Sequence, residues 1–129
     1  MKLGYTLLYV DSVRDTLAFY EAAFGLRRRF IDDEGTYAEF DTGNTVLGLV
    51  AHSVAGSHGF SYQAVAPSDD APGFEIGFVT DDVSAAFAAA VKAGATPVSE
   101  PATKPWGQTA SYVRDMNGFL VEICSPMNP

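Results

Sequence analysis

One strand-and-helix pattern occurs twice in this chain, and that duplication limits the folds open to it more than any other feature. The run Gly4-Tyr5-Thr6-Leu7-Leu8-Tyr9-Val10, followed by the stretch 13–24, returns as Gly73-Phe74-Glu75-Ile76-Gly77-Phe78-Val79 followed by 83–93. The ends of the copies correspond too. Thr45-Val46-Leu47-Gly48-Leu49-Val50 after Gly43-Asn44 matches Phe119-Leu120-Val121-Glu122-Ile123-Cys124 after Asn117-Gly118. Each copy is one supersecondary unit that cannot bury its apolar face alone. The two are therefore expected to fuse into a single domain over residues 1–129, with repeats 1–52 and 73–129 joined by a connector at 53–72. Superposing the copies sets Tyr5 opposite Glu75 and Gly48 opposite Glu122. The duplicated scaffold is thus expected to carry a lopsided polar set, with two carboxylates in one half and none in the other.

Local pattern supplies the elements. Residues 4–10 read as a buried strand closed by Asp11-Ser12. Ser12 caps a helix over 13–24 with Asp15 three positions on, Leu17, Phe19, Tyr20 and Phe24 form its apolar stripe, and Gly25 suits the left-handed position beyond its end. Strands follow over 26–31, 36–41 and 45–51, separated by Asp33-Glu34-Gly35 and Thr42-Gly43-Asn44. In the second copy a strand over 74–80 precedes an Ala-rich helix over 83–93, with Asp81-Asp82 at its positive end and Gly94 as terminator. Strands over 95–99, 108–114 and 119–125 complete it, the last two joined by the turn Asp115-Met116-Asn117-Gly118. The unit is βαβββ and the class α+β. The connector, rich in Ser, Gly, Ala and Pro, suits a linker or a lid. A loop from Glu100 to Gly107 sets Trp106 between Pro105 and Gly107, where the indole is expected to line a pocket mouth or an interface.

Composition narrows the partners. Eight Lys and Arg against sixteen Asp and Glu give a net charge of −8, which opposes binding to phosphate backbones and anionic lipid. Nucleic acid and membrane are therefore not expected, and no run approaches the roughly 20 apolar residues of a bilayer crossing. The basic run Arg27-Arg28-Arg29 lies in a strand whose alternation sends Arg28 to one face and its neighbours to the other, and reads as solvated surface. Cys124 is the single cysteine, which suits a reducing compartment, and the start of the chain lacks the apolar stretch of a secretory signal. Cytoplasm is the expected location.

Glu122 is the sharpest chemical signal. It interrupts an apolar strand whose two faces both read as buried, where an ionised carboxylate is costly unless hydrogen-bonded, protonated or bound to a cation. Glu75, between Phe74 and Ile76, poses the same problem. On neighbouring strands the two carboxylates would share one concavity and repel. A shared proton, a hard divalent cation, or a donor such as His52, His58, Tyr5 or an arginine would relieve that. Taken singly, each Glu also reads as a strand-edge residue with a solvated tip. Tyr5 either donates a hydrogen bond into the concavity or packs, and Gly48 either makes room for a ligand or marks a bulge. Gln108 and Tyr112, four apart on one strand, share a face and can orient a bound molecule. No dinucleotide fingerprint, Walker loop, nucleophile elbow or Cys-x-x-Cys is present, which disfavours nucleotide chemistry and covalent serine catalysis.

Tyr5-Thr6-Leu7-Leu8-Tyr9-Val10, Phe24-Gly25-Leu26, Asp81-Asp82-Val83, Ala93-Gly94-Ala95, Pro105-Trp106-Gly107 and Arg114 to Glu122 together resemble the vicinal oxygen chelate superfamily of glyoxalases, bleomycin-resistance and fosfomycin-resistance proteins and extradiol dioxygenases. The resemblance spans nearly the whole chain. It implies two βαβββ modules pairing into a half-open mixed β-barrel with the helices outside, often as a homodimer. In metal-using members His, Gln or Glu side chains on the first and last strands of each module hold the ion. Carried over, these positions are Tyr5, Gly48, Glu75 and Glu122, of which Glu75 and Glu122 remain as ligands. The expected cofactor is accordingly none, or a weakly held Mg²⁺, Mn²⁺, Zn²⁺ or Ni²⁺. The resulting expectation is a small-molecule binder, with Glu75 and Glu122 as polar or catalytic groups and Tyr5, Gly48, His52, Trp106, Gln108 and Tyr112 lining the ligand. The alternatives are a metal-dependent glyoxalase-like lyase or isomerase, or a dioxygenase, that uses the same two carboxylates, and a partner-binding module.

Overall fold

In the first repeat the β-branched and aromatic run forms β1 (Tyr5–Val10), and Ser12 then opens α1 (Val13–Phe24) by accepting the Asp15 N–H at 3.1 Å. Gly25, at φ 68°, closes that helix with its N–H on the Glu21 carbonyl. Three short strands follow, β2 (Arg28–Ile31), β3 (Tyr37–Phe40) and β4 (Val46–Ala51). The sheet order is β1-β4-β3-β2, with β1 parallel to β4 and the other pairs antiparallel. Period-2 alternation decides what each face does. Leu8, Val10, Ala38, Phe40 and Leu49 are buried on the side that carries α1, whereas Tyr5 and Leu7 on the opposite side are exposed. Tyr20 of α1 lies against Phe40 with ring centroids 5.6 Å apart. One face of this sheet is therefore core, while on the other Tyr5 and Leu7 are exposed at the β1 edge and Val46, Gly48 and Val50 of β4 are buried.

The second repeat uses the same plan. β5 (Glu75–Val79) leads to α3 (Val83–Lys92), capped by Asp82 through the Ala85 N–H at 3.1 Å; the short α2 (His52–Ala55) lies earlier, where the connector begins. β6 (Thr96–Thr103), β7 (Thr109–Arg114) and β8 (Leu120–Cys124) complete a sheet of order β5-β8-β7-β6, with β5 parallel to β8. Ser111, Val113, Val121 and Ile123 are buried beneath α3. The turn between β7 and β8 is tied by the buried Asp115 carboxylate, which accepts the N–H groups of Asn117 and Phe119 at 2.8 and 2.9 Å. The fold is α+β, built from two βαβββ modules whose four-stranded mixed sheets are each open.

The computed structural model describes residues 1–127, so the last two residues of the expected second repeat, 128 and 129, lie outside the described residues. The chain divides into two compact units, Met1–Ala64 and Val65 onward, and this boundary falls inside the expected connector. That segment is not featureless. It begins with α2 (His52–Ala55) and a 3-10 turn, Gly56–His58, closed by the Ser57 hydroxyl on the Val54 carbonyl at 2.6 Å. Such a short helix has no room for a periodic apolar stripe, which is why sequence pattern misses it. The later part is held to the second unit by Arg114, whose guanidinium donates to the Ala66, Pro67 and Asp69 carbonyls and to Gly118 of the turn. β6 also differs from expectation: it runs on through Pro101 to Thr103 as an edge strand with irregular register, a place where the missing proline N–H costs no ladder bond.

Candidate functional site

The parallel pairing of β5 with β8 puts Gly77 opposite Glu122 and Glu75 opposite Leu120, so the two glutamates are diagonal neighbours on the open face of the second sheet. Gly77 leaves no side chain between them, and the two carboxyl groups lie close enough to interact electrostatically. Tyr112 is the register partner of Glu122 from β7, and its hydroxyl donates to Glu122 Oε2 at 3.4 Å. Lys104 Nζ stands 5.9 Å from the centre of the Tyr112 ring. Cys124, two residues beyond Glu122, turns its thiol toward the Phe78 carbonyl at 3.7 Å. The face is less enclosed than the apolar neighbours of Glu122 imply. Glu122 and Tyr112 are half-buried and Glu75 is exposed, because α3 covers only the opposite side of the sheet.

Negative charge concentrated there sets the electrostatics. Partial burial, and then the carboxylate of Glu122 beside it, hold Glu75 above the usual carboxylate range. Burial followed by Glu122 and Glu75 raises the Tyr112 phenol and the Cys124 thiol. All three groups are thus biased toward their protonated forms. Such an array can accept a hydrogen-bond donor from a ligand, attract a cationic group, or pass a proton between Glu75 and a bound molecule.

On the first sheet, Tyr5 is exposed on the face opposite α1 and Gly48 is buried in β4. The room that Gly48 leaves is already used: a Cβ there would lie 2.7 Å from Leu7 Cδ2 and 3.3 Å from the Tyr37 hydroxyl. Register with Gly48 brings in a residue that the superposed repeats hide, Glu39 of β3. Glu39 is only 8% exposed, accepts the Tyr37 hydroxyl at 2.6 Å, and has Arg29 Nε at 3.8 Å. The expectation of no carboxylate in this half is thereby corrected. The signal was present, since Glu39 interrupts an apolar strand as Glu122 does, but comparison of first and last strands passes over a middle one. The three arginines separate as alternation implies: Arg28 pairs with Glu21 of α1 at 2.8 Å, Arg27 with Asp41 at 3.2 Å, and Arg29 turns to Glu39.

The remaining expected ligand residues each make local contacts of their own. His52 opens α2, where its Nδ1 lies 2.6 Å from the Tyr62 hydroxyl and its Nε2 lies 3.5 Å from Asp11; the ring stacks on Tyr62. His58 stacks on Phe60. Trp106, 61% exposed, sits at the tip of the β6–β7 hairpin and donates its indole N–H to Gln108 Oε1 at 2.9 Å. Gln108, immediately before β7, in turn donates to the Ser125 carbonyl at 3.0 Å. The indole is held in place by this relay.

A divalent ion in the manner of metal-using relatives requires converging donors. Among the described residues no three His, Cys, Asp or Glu side chains come together to hold one. Glu75 and Glu122 alone would leave most positions of a hard cation to water, and the nitrogen ligands of a zinc or nickel site are absent beside them. Leu7 and Tyr37 close the space where a side chain at residue 48 would reach in. The residues present do not fit the family's ion.

A sequence model of the Glyoxalase/Bleomycin resistance protein/Dioxygenase superfamily matches residues 2–123. The chain belongs to this superfamily. Among its relatives, the chain is 27% identical over 128 residues to the Uncharacterized protein YraH of Bacillus subtilis (strain 168), covering 95% of this chain and 97% of that one. The glyoxalase-type fold is also that of solved structures. A glyoxalase-related enzyme from Fulvimarina pelagi superposes with a TM-score of 0.84 at 16% identity, covering 98% of this chain and 88% of the other. A glyoxalase/bleomycin resistance protein/dioxygenase family enzyme from Burkholderia phytofirmans PsJN gives 0.77 at 18% identity over 97% and 98%. TioX from Micromonospora sp. ML1 gives 0.72 at 21% identity over the same shares.

Proposed function

We propose that this superfamily member binds a small molecule through the open face of its second sheet, with Glu75 and Glu122 as polar anchors and Tyr112 as the group that orients the ligand against them. The observation that carries this reading is the diagonal pair of carboxyls beside a phenol, on the face that α3 leaves uncovered. Trp106, held by Gln108, supplies a rigid ring that can pack on a ligand at low entropic cost. Tyr5, Gly48 and His52, expected to line the ligand, belong to the first unit, where Leu7 and Tyr37 crowd Gly48 and Tyr62 holds His52. We extend the reading to a single functional domain over both repeats, working as a homodimer in the cytoplasm without a tightly held cofactor. No helix among the described residues is long and apolar enough to cross a membrane.

The test is a thermal-shift screen of chelator-treated protein against a small-molecule library. Hits that stabilise the metal-free protein and disappear in Glu75→Gln and Glu122→Gln, with the fold intact by circular dichroism, are expected. Hits that need one equivalent of added Zn²⁺ or Ni²⁺, or that ignore both substitutions, would overturn the reading. One arrangement favours a second reading, a lyase or isomerase: partial burial and Glu122 push the Glu75 carboxyl upward beside the Tyr112 phenol, the direction that suits a proton-transferring group. The same variants, assayed for turnover of hemithioacetals, separate the two, because a binder shows none.

A further inference from the structure

The face of the first sheet opposite α1 carries a second polar cluster that the proposed site does not use. The register shift between Arg28 and Phe30 makes a bulge in β2 that re-aims Arg29, and Phe30 on the far side of the bulge pairs with Glu39. Glu39 has a side chain only 10% exposed, and Tyr37 closes one of its oxygens, Oε2. The other oxygen, Oε1, has Arg29 Nε at 3.8 Å, beyond hydrogen-bonding reach. Since no buried side-chain oxygen among the described residues lacks a partner, Oε1 is open to solvent, and a guanidinium ordinarily grips a carboxylate with its fork. Here an acceptor and a set of donors stand side by side with a gap between them.

That gap has a chemistry. The charges of Arg29 and Glu39 offset each other locally, so neither an anion nor a cation is preferred over a neutral molecule. What bridges an adjacent acceptor and donor is a group presenting a donor and an acceptor on one edge, as an amide does. The surroundings suit a flat molecule. The Phe30 ring is partly exposed and lies 5.8 Å from the Tyr37 ring, and Leu7 is exposed on the same face. Tyr37 is committed to Glu39, and burial together with that carboxylate holds its phenol far above neutrality, so it stays a donor at any working pH. Nothing in this cluster depends on Glu75 or Glu122.

We propose that Arg29 and Glu39 form a binding site for the amide edge of a neutral aromatic carboxamide or lactam, its N–H donating to Glu39 Oε1, its carbonyl accepting from Arg29, and its ring packing on Phe30. The experiment is a backbone and methyl NMR titration of the full chain with benzamide, with benzoate and benzylamine as charged controls of the same shape. Benzamide should give saturable shifts at Leu7, Arg29, Phe30 and Glu39 and bind more tightly than either control. Arg29→Met, at a side chain 59% exposed, should weaken it at least fivefold while the remaining spectrum stays in place. Glu39→Gln should do the same if it folds. Benzoate binding as tightly as benzamide, shifts that never saturate, shifts centred on Tyr112 and Glu122 instead, or a titration unchanged by Arg29→Met would each overturn the proposal.

Discussion

Glu75 shows at a single residue how the carboxyl pair couples to stability. Its folded-state pKa lies above the ordinary value of 4.5, because partial burial and Glu122 both disfavour its charge. Between the two values the folded protein binds more protons than the unfolded chain, so stability falls as pH rises through that window. Asp32 has the opposite sign: hydrogen bonds from Thr36 and its neighbours lower its pKa, so its contribution is present above the ordinary value and is lost on acidification. The difference between wild type and Glu75→Gln isolates the first effect. Melting temperatures followed from about pH 4.5 to about pH 7 should decline more steeply, or rise less, in wild type than in the variant. Parallel curves would remove Glu75 from the account.

At the scale of one element, the β7–β8 turn decides where the connector runs. Gly118 has φ 98°, and a Cβ there would stand 2.8 Å from the carbonyl carbon of Ala66 and 2.9 Å from its oxygen. Both contacts are with backbone, so relief requires moving the segment that Arg114 holds through three carbonyls. Gly118→Ala should therefore cost about 2 kcal/mol, read as a lowered urea midpoint. Residues 66–69 should also lose amide-exchange protection. An unchanged midpoint would mean that the connector is not seated as described. Asn117-Gly118 marks a turn in the sequence, but the chain passing over it lies some fifty residues back and leaves no local trace.

For the whole molecule, acidity is the dominant long-range term. With a net charge of −8 on 129 residues, self-repulsion opposes the folded state, and mobile ions screen it. Raising salt from about 10 mM to about 150 mM should raise the melting temperature, and a flat or falling response would show that local ion pairs such as Arg28–Glu21 outweigh the net field. The arginine run is neutralised within the first unit, each residue facing its own carboxylate, so it offers no basic patch to a polyanion.

Period and punctuation in the sequence determined the duplicated βαβββ order and the helix caps at Ser12, Gly25 and Asp82. These follow from local backbone preference and from side chains alternating across a strand, which a chain displays whether or not it is folded. Tertiary structure alone decided that Leu7 and Tyr37 fill the space over Gly48, that Glu39 is a buried carboxylate with Arg29 at its side, that His52 serves Tyr62, and that Gln108 serves Trp106. Each of these depends on which residues distant in the chain become neighbours. Register and bulge set those meetings, and neither is written in the spacing of one strand.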